Sequence, residues 1–496
     1  MKNNKKTLIN ILCNLFLQIC TIISGFIIPK IILTNFGSEA NGLVSSLNQM
    51  LNYIALVEGG ITGVITATLY KPLVDNDTKK ISSIVNAADS FFKKIGIIFI
   101  VYSLILAIIY PLIFNVSFSY SYVFCLTIIL SMNLLIQYMF SLTYKTLLTA
   151  DKKLYIVSIT QSVMIILNIF LSIISVKIYP NIHILKLING ILFLLQPIVF
   201  KIYINKNYNL NKKEEKNLNL IKSRWDGFAI NVAAFMHSCT DITVLTIFTN
   251  LKIVSIYGVF SLVTNGIKSI ITAISNAIAP TIGRAYAIGK SDELNKKMDI
   301  YEFIMLFLIF FVFTTAALMI NSFVMIYTKG ISDANYNQEL FGYLIVISEA
   351  LYLLKFPQLN LAYSANKFKD ITIPAYIEAA INIIISIILV QKFGLIGVAL
   401  GTILAMIYRL IFQVNYINKM IDYRNGKKYY LKMLFFLIGA IFSIIICKCI
   451  INLTITDLIS WIIAAATYSV ITFIVYFIIS IIFFRNEINY LKKYMR

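Results

Sequence analysis

Histidine occurs only twice in this 496-residue chain, at His183 and His237, and none of the six cysteines forms a CxxC pair. A structural zinc site needs four closely spaced nitrogen or sulfur ligands, so none is expected. Cys13, Cys20, Cys125, Cys239, Cys447 and Cys449 fall in or beside apolar runs and read as small packed hydrophobes. Acidic residues are also scarce: 22 Asp and Glu stand against 43 Lys and Arg, a net charge of +21. In a soluble protein that excess would suit nucleic acid. Here the charges lie between apolar runs, the pattern of positively charged membrane loops, and no nucleic-acid partner is expected. Sustained apolar–polar alternation is missing, which excludes a transmembrane barrel. Polar stretches long enough for a soluble domain are missing too. A phosphate loop is suggested by Gly283 to Ser291, but five residues separate Gly283 from Gly289 where the motif has four, and no strand precedes it.

What the chain has in abundance is apolar sequence, 59% of its residues. Soluble domains are about 45–50% apolar. Runs of about 20 apolar residues, enough to cross a bilayer, recur along the whole length. They predict fourteen spans, near 8–33, 42–70, 95–115, 120–147, 154–178, 183–204, 226–249, 255–280, 300–327, 340–363, 371–391, 395–417, 432–451 and 458–484. The first run follows a basic start but is too long for a signal peptide, so it is expected to be retained. Lys30, Lys177, Lys186, Lys252, Lys329, Lys392 and Lys448 fall on one side, and Lys268 and Lys355 inside spans. The other Lys and Arg go with the two tails and the even-numbered connections, which predicts both termini in the cytoplasm. The segments Lys71 to Lys94 and Thr281 to Asp299 read as amphipathic connections at the membrane surface.

The chain repeats itself. A shift of 216 positions brings Gly258 onto Gly42, Ser261 onto Ser45, Asn265 onto Gln49 and Lys268 onto Asn52. LLTADK, ending at Lys152, matches LAYSANK, ending at Lys367, and NIFLSIISV from Asn168 matches NIIISIILV from Asn382. Spans 1–6 therefore recur as spans 7–12 in the same orientation, with spans 13 and 14 outside the repeat.

Polar residues inside the spans are the functional candidates. Ser261, Asn265, Lys268, Thr272 and Ser275 share one helical face. A lysine at mid-membrane costs about 2.5–3.5 kcal/mol on insertion scales, so this face turns to protein or to a hydrated cavity. Two readings of Lys268 are open: a cavity cation for a substrate phosphate, or a structural partner of Asp241 or Glu349. Gln49 and Asn52 hold the equivalent face of span 2, and Asn10, Asn14, Gln18, Thr21 and Gly25 form a stripe on span 1. His237 and Asp241, four apart in span 7, are either a site for a coupling proton or cation or a packing pair. Glu349 and Lys355 lie about 120° apart around span 10 and do not pair with each other. Lys355 either lines a cavity or meets a carboxylate of another span. Glu378 shares a face of span 11 with Asn382 and Ser386, and Glu349 and Glu378 are further candidates for the coupling ion. Glu58, before two glycines, is read as structural.

Three stretches resemble a known family: FGSEANGLVSSLNQMLNYIALVEGGITGVITATLYKPL from Phe36 to Leu73, LLTADKKLYI, and FGLIGVALGTILAMIYR from Phe393 to Arg409. They are similar to bacterial polysaccharide exporters, the Wzx-type lipid-linked oligosaccharide flippases of the multidrug/oligosaccharidyl-lipid/polysaccharide (MOP) superfamily. The resemblance implies an all-α, MATE-like membrane fold of about fourteen helices: two pseudo-symmetric six-helix bundles around a cavity that opens alternately to each side, plus two C-terminal helices. The division would be 1–204, a linker at 205–224, 225–420 and 421–496. It implies no enzymatic activity and no cofactor beyond possible coupling to H+ or Na+. The implied substrate is an oligosaccharide on undecaprenyl pyrophosphate, moved across the bacterial cytoplasmic membrane for capsule, O-antigen or teichoic-acid-like assembly. Membrane lipids and a polysaccharide polymerase would be partners. The partly cationic cavity of such proteins would suit Lys268 and Lys355. Lipid II flippases and multidrug extruders of the same superfamily are the alternatives. A membrane glycosyltransferase or polymerase fits less well, because outer loops such as Asn115 to Tyr120 and Gln391 to Gly394 are too short for a catalytic site.

Overall fold

In lipid every backbone N–H and C=O must find a partner within its own segment, so apolar runs of this length become helices. The computed structural model describes residues 2–58, 60–114, 117–215, 228–450 and 455–495, without the side chains of 2–7, 228–234, 236–238, 450 and 492–495. Among the described residues it is all-helical. Twelve helices there are long and apolar enough to cross a membrane. Helix α1 (Lys2–Asn52) holds predicted span 1 and the start of span 2, joined through Gly37, and α9 (Phe228–Phe248) falls at predicted span 7. Gly37 has φ 80° and ψ 175°, a backbone that side-chain-bearing residues rarely adopt.

The chain divides into two compact units. The first is Met1–Phe235 with Asn250–Ser255, and the second is Met236–Thr249 with Ile256–Arg496. After α1 the first unit runs through α2 (Ala55–Glu58), α3 (Ile61–Val74), α4 (Thr78–Ile113), α5 (Tyr120–Ile136), a π turn (Gln137–Ser141), α6 (Leu142–Ala150), α7 (Leu154–Ile178) and α8 (Ile182–Asn207). Span 2 is thus broken at its middle, where Gly60 has φ 79°. Glu58 stands at the break and accepts hydrogen bonds from Thr62 and, at 3.2 Å, from Tyr138 of the π turn. One interaction therefore joins the two irregular segments, and the structural reading of Glu58 fits this geometry. Leu51, Ile65, Phe92, Phe99 and Phe200 pack one apolar cluster; Leu43, Leu47, Tyr110, Leu126 and Leu185 pack another. Gly42 allows α1 to touch the backbone at Leu251, since a Cβ there would lie 1.8 Å from the Leu251 carbonyl oxygen. Beside it Asn41 donates to Ser255 Oγ at 2.8 Å.

The second unit contains most of α10 (Leu251–Ile288), then α11 (Ser291–Tyr327), α12 (Glu339–Leu354), α13 (Phe356–Ser364), α14 (Phe368–Phe393), α15 (Leu395–Met420), α16 (Gly426–Ile450), α17 (Leu458–Phe483) and α18 (Arg485–Met495). The expected surface connections at Lys71 to Lys94 and Thr281 to Asp299 are helical, formed by the ends of α3, α4, α10 and α11 with tight turns between them. Residues 205–207 end α8, and 208–215 lie along α4: Asn86 donates to the carbonyls of Asn211 and Glu214, and Ser83 to that of Glu215. The rest of the predicted linker falls outside the described residues.

Helices α16 and α17, beyond the repeat, pack on α11. Phe436 stacks on Phe484 at 5.5 Å, Thr314 and Tyr476 share a 2.7 Å hydrogen bond, and Trp461 Nε1 donates to the Met319 carbonyl. Lys432 pairs with Glu487 at 3.0 Å and so holds α18.

Candidate functional site

The polar residues of the second unit gather in two places. The first begins at Lys268 on α10. Its ammonium lies 3.0 Å from Glu349 Oε2 on α12, and the two side chains are 20% and 13% exposed. Tyr352, about one turn beyond Glu349, presents its ring to Lys268 at 5.5 Å and to Lys355 at 4.7 Å. Lys355 caps the C-terminus of α12 at the break before α13, a favourable place for a cation near free carbonyls. It donates to Glu378 Oε1 of α14 at 2.8 Å, and Arg409 Nε of α15 lies 3.3 Å from Glu378 Oε2. Arg409 also donates to the Ile371 carbonyl at 3.0 Å. Lys355, Glu378 and Arg409 are all buried, whereas the Lys268–Glu349 pair keeps contact with the outside. Three cations meet two carboxylates: the surplus positive charge sits at the buried end, where Lys355 and Arg409 share Glu378, while Lys268 and Glu349 balance each other at the accessible end.

The second place is centred on Asp241 of α9. Tyr257 of α10 donates to Oδ2 at 2.9 Å, and Thr402 of α15 lies 3.1 Å from both carboxylate oxygens. Thr240, Asn382 and Ser386 extend the network, with Ser386 donating to Asn382 Oδ1 at 3.0 Å. Asp241, Asn382, Ser386 and Thr402 are buried. Among the described residues no lysine or arginine pairs with Asp241. A carboxylate held only by neutral donors away from water is costly and needs a proton or a bound cation. The side chain of His237 lies outside the described residues.

The remaining candidates divide. Ser275 is buried and bonded to Tyr301 at 2.6 Å and Asn360 at 3.0 Å, a structural contact. Asn265 is exposed, and Ser261 and Thr272 are partly so, flanking Lys268. Gln49 is partly buried and Asn52 exposed, both on α1 in the first unit. Asn14 is partly buried and Gln18 exposed. Asn10, on the same stripe, ties the α6–α7 turn by donating to the Lys152 carbonyl and accepting from Tyr155 N. An apolar cavity of about 220 Å³ lies between α10, α11 and α17, lined by Val263, Ile267, Phe311, Ala316, Met319 and Trp461.

Arg409 and Thr402 were not among the residues singled out from the sequence. The charge sorting assigns Arg409 to a cytoplasmic connection, but it lies within the predicted span 395–417 and is buried in α15, so the cost argument that selects Lys268 applies to it as well. Thr402 gives no such signal, because isolated hydroxyls are common in membrane helices.

No protein-family model matches the chain, and no curated protein matches it. Solved structures do. A lipid II flippase, MurJ, in an inward-closed conformation superposes with a TM-score of 0.75 at 15% identity, covering 97% of this chain and 100% of that one. An inward-facing multidrug resistance MATE family transporter of the MOP superfamily gives 0.60 at 12% identity, over 84% of this chain and 100% of its own. The MATE multidrug transporter DinF-BH gives 0.57 at 15% identity, over 84% and 97%. The chain therefore has the multi-pass helical fold of these transporters.

Proposed function

We propose that this protein is a flippase that moves an undecaprenyl-pyrophosphate-linked oligosaccharide across the bacterial cytoplasmic membrane by alternating access. The observation that carries the reading is the Lys268–Glu349–Tyr352 cluster: a cation that is partly accessible, on a helix whose adjacent face lines an apolar cavity. A lipid-linked sugar phosphate needs both surfaces, a cation for the phosphate and an apolar wall beside it for the lipid. Tyr352 and Asn265 supply an aromatic face and an amide for sugar. The fold supports transport rather than catalysis. A lipid II flippase, moving a substrate of the same chemical type, is the second reading, favoured by the superposition over nearly the whole chain.

In this reading Asp241 takes the coupling ion. Its carboxylate, the Asn382 carbonyl and the Thr402 and Ser386 hydroxyls form a set of hard oxygen donors suited to Na+, and a lone carboxylate equally suits a proton. The same reading puts both termini in the cytoplasm and takes a polysaccharide polymerase and other assembly-pathway proteins as partners. Cysteines at Ser119 and Asn211, in a background lacking the native six, test the orientation: they are expected to label from outside and inside respectively.

The deciding experiment is flipping of a lipid-linked oligosaccharide in reconstituted vesicles. Lys268→Ala removes the partner of Glu349 and is expected to lower both folding and flipping. Lys268→Ala combined with Glu349→Gln is expected to restore the folded protein but not flipping, whereas Lys268→Arg retains part of it. Normal flipping by the folded double variant would remove Lys268 from the mechanism.

A further inference from the structure

The first unit contains a polar cavity of about 180 Å³ lined by Asn48, Asn52, Asn133, Gln137, Lys186 and Asn189. At about 30 Å³ per water it has room for roughly six waters. Lys186 stands near the start of α8 and is only 9% exposed. The sequence places it at an outer membrane edge; the structure buries it. Among the described residues its ammonium has neither a hydrogen bond nor a carboxylate within ion-pair distance. Lys355 in the second unit shows the contrast, since its equally buried ammonium rests on Glu378. The cavity's amides are also under-used: Asn133 Oδ1 and Asn189 Oδ1 are buried without hydrogen-bond partners among the described residues. Gln137 opens the π turn, a local irregularity that often marks functional positions in helices.

An ammonium that opens from a buried side chain onto such a cavity calls for a counter-charge, and among the described residues no side chain lining the cavity supplies one. Primary amides both donate and accept, so they read hydroxyl groups. The space exceeds that of a single hydrated halide. We infer that this cavity binds a phosphate-class oxyanion that also carries hydroxyl groups, with Lys186 taking the charge and Asn133 and Asn189 the hydroxyls. The site lies wholly in the first unit and does not depend on what the protein transports. Its ligand comes either from a phosphorylated lipid headgroup or from a soluble phosphate, and the two sources share this chemistry.

The test uses the full-length protein in nanodiscs, with radiolabelled hexose phosphate and radiolabelled inorganic phosphate as probes. Wild type is expected to bind both saturably, the hexose phosphate more tightly. Lys186→Met should weaken both by at least about tenfold, while Lys186→Arg stays within about threefold of wild type. Asn189→Ala should weaken hexose phosphate and leave inorganic phosphate unchanged. Because the ammonium has no partner to lose, Lys186→Met should not lower the thermal midpoint. Discs of zwitterionic and of anionic phospholipid separate the sources. Loss of hexose phosphate binding in anionic discs identifies the headgroup, and equal binding identifies a soluble ligand; either result upholds the site. Absence of saturable binding in wild type, undiminished binding by Lys186→Met, displacement of the probe by an equal concentration of chloride, or a lowered midpoint in Lys186→Met would each overturn it.

Discussion

The two units use related sequences to opposite electrostatic ends. In the second, Asn382, Ser386 and Thr402 are bonded around Asp241, a buried carboxylate with no cation beside it among the described residues. In the first, the matching Asn168 and Ser172 on α7 are also buried, but the Asn168 carbonyl oxygen and the Ser172 hydroxyl have no partner among the described residues. The stretch 8–33, the counterpart of α9, contains no Asp or Glu. The first unit instead buries Lys186 with no carboxylate beside it among the described residues. Duplication therefore supplied the helices and their polar register, while single residues decided which unit needs an anion and which a cation. A repeat is a statement about backbone and packing, and charge is set locally on top of it.

The largest effect should come from the fully paired cluster. Glu378→Ala leaves Lys355 and Arg409 buried without a carboxylate and is expected to cost about 3–5 kcal/mol, read as a fall in the thermal midpoint in detergent. Adding Lys355→Met should recover part of it. If Glu378→Ala is as harmless as Lys186→Met is expected to be, the contrast between paired and unpaired buried charges fails.

Next in size are the asparagines. Asn382→Leu breaks bonds to Ser386, Thr402 and Thr240 and should cost about 1–3 kcal/mol. Asn168→Leu removes an oxygen that has no partner, so its midpoint should be unchanged or higher. Equal losses at the two positions would mean that the two networks are equivalent after all.

Asp241→Asn sharpens the comparison at the level of function rather than stability. The variant should fold normally, since no cation loses its partner, and transport should no longer respond to a Na+ or pH gradient. Retained coupling, measured in vesicles with imposed gradients, would reduce the Asp241 network to packing.

The smallest effect is expected at the water-facing end of α4. Lys93 and Asp89 pair at 2.7 Å, but both are substantially exposed. Lys93→Ala should shift stability by about 0.3–0.5 kcal/mol or less, and salt should erase the difference. A shift as large as that of Glu378→Ala would show that burial is not what separates the two pairs.

Much of this was readable in the chain. The helices, their number and the repeat follow from apolar length and spacing, because a segment in lipid has only its own backbone to bond with. The cost of an intramembrane charge likewise marked Lys268, Lys355, Glu349, Glu378 and Asp241 as residues that need an explanation. What each one meets was beyond the sequence. The partners lie on other helices, dozens of residues away: Lys268 meets Glu349 and Arg409 meets Glu378. The burial of Lys186 depends on how α1, α5 and α8 surround it, although its own run looks like a membrane edge. Apolar periodicity specifies which residues form a helix but leaves its rotation against its neighbours nearly free, since lipid and a protein interior are equally apolar. Only the packed helices fix that rotation, and with it whether a charge is paired, accessible or alone.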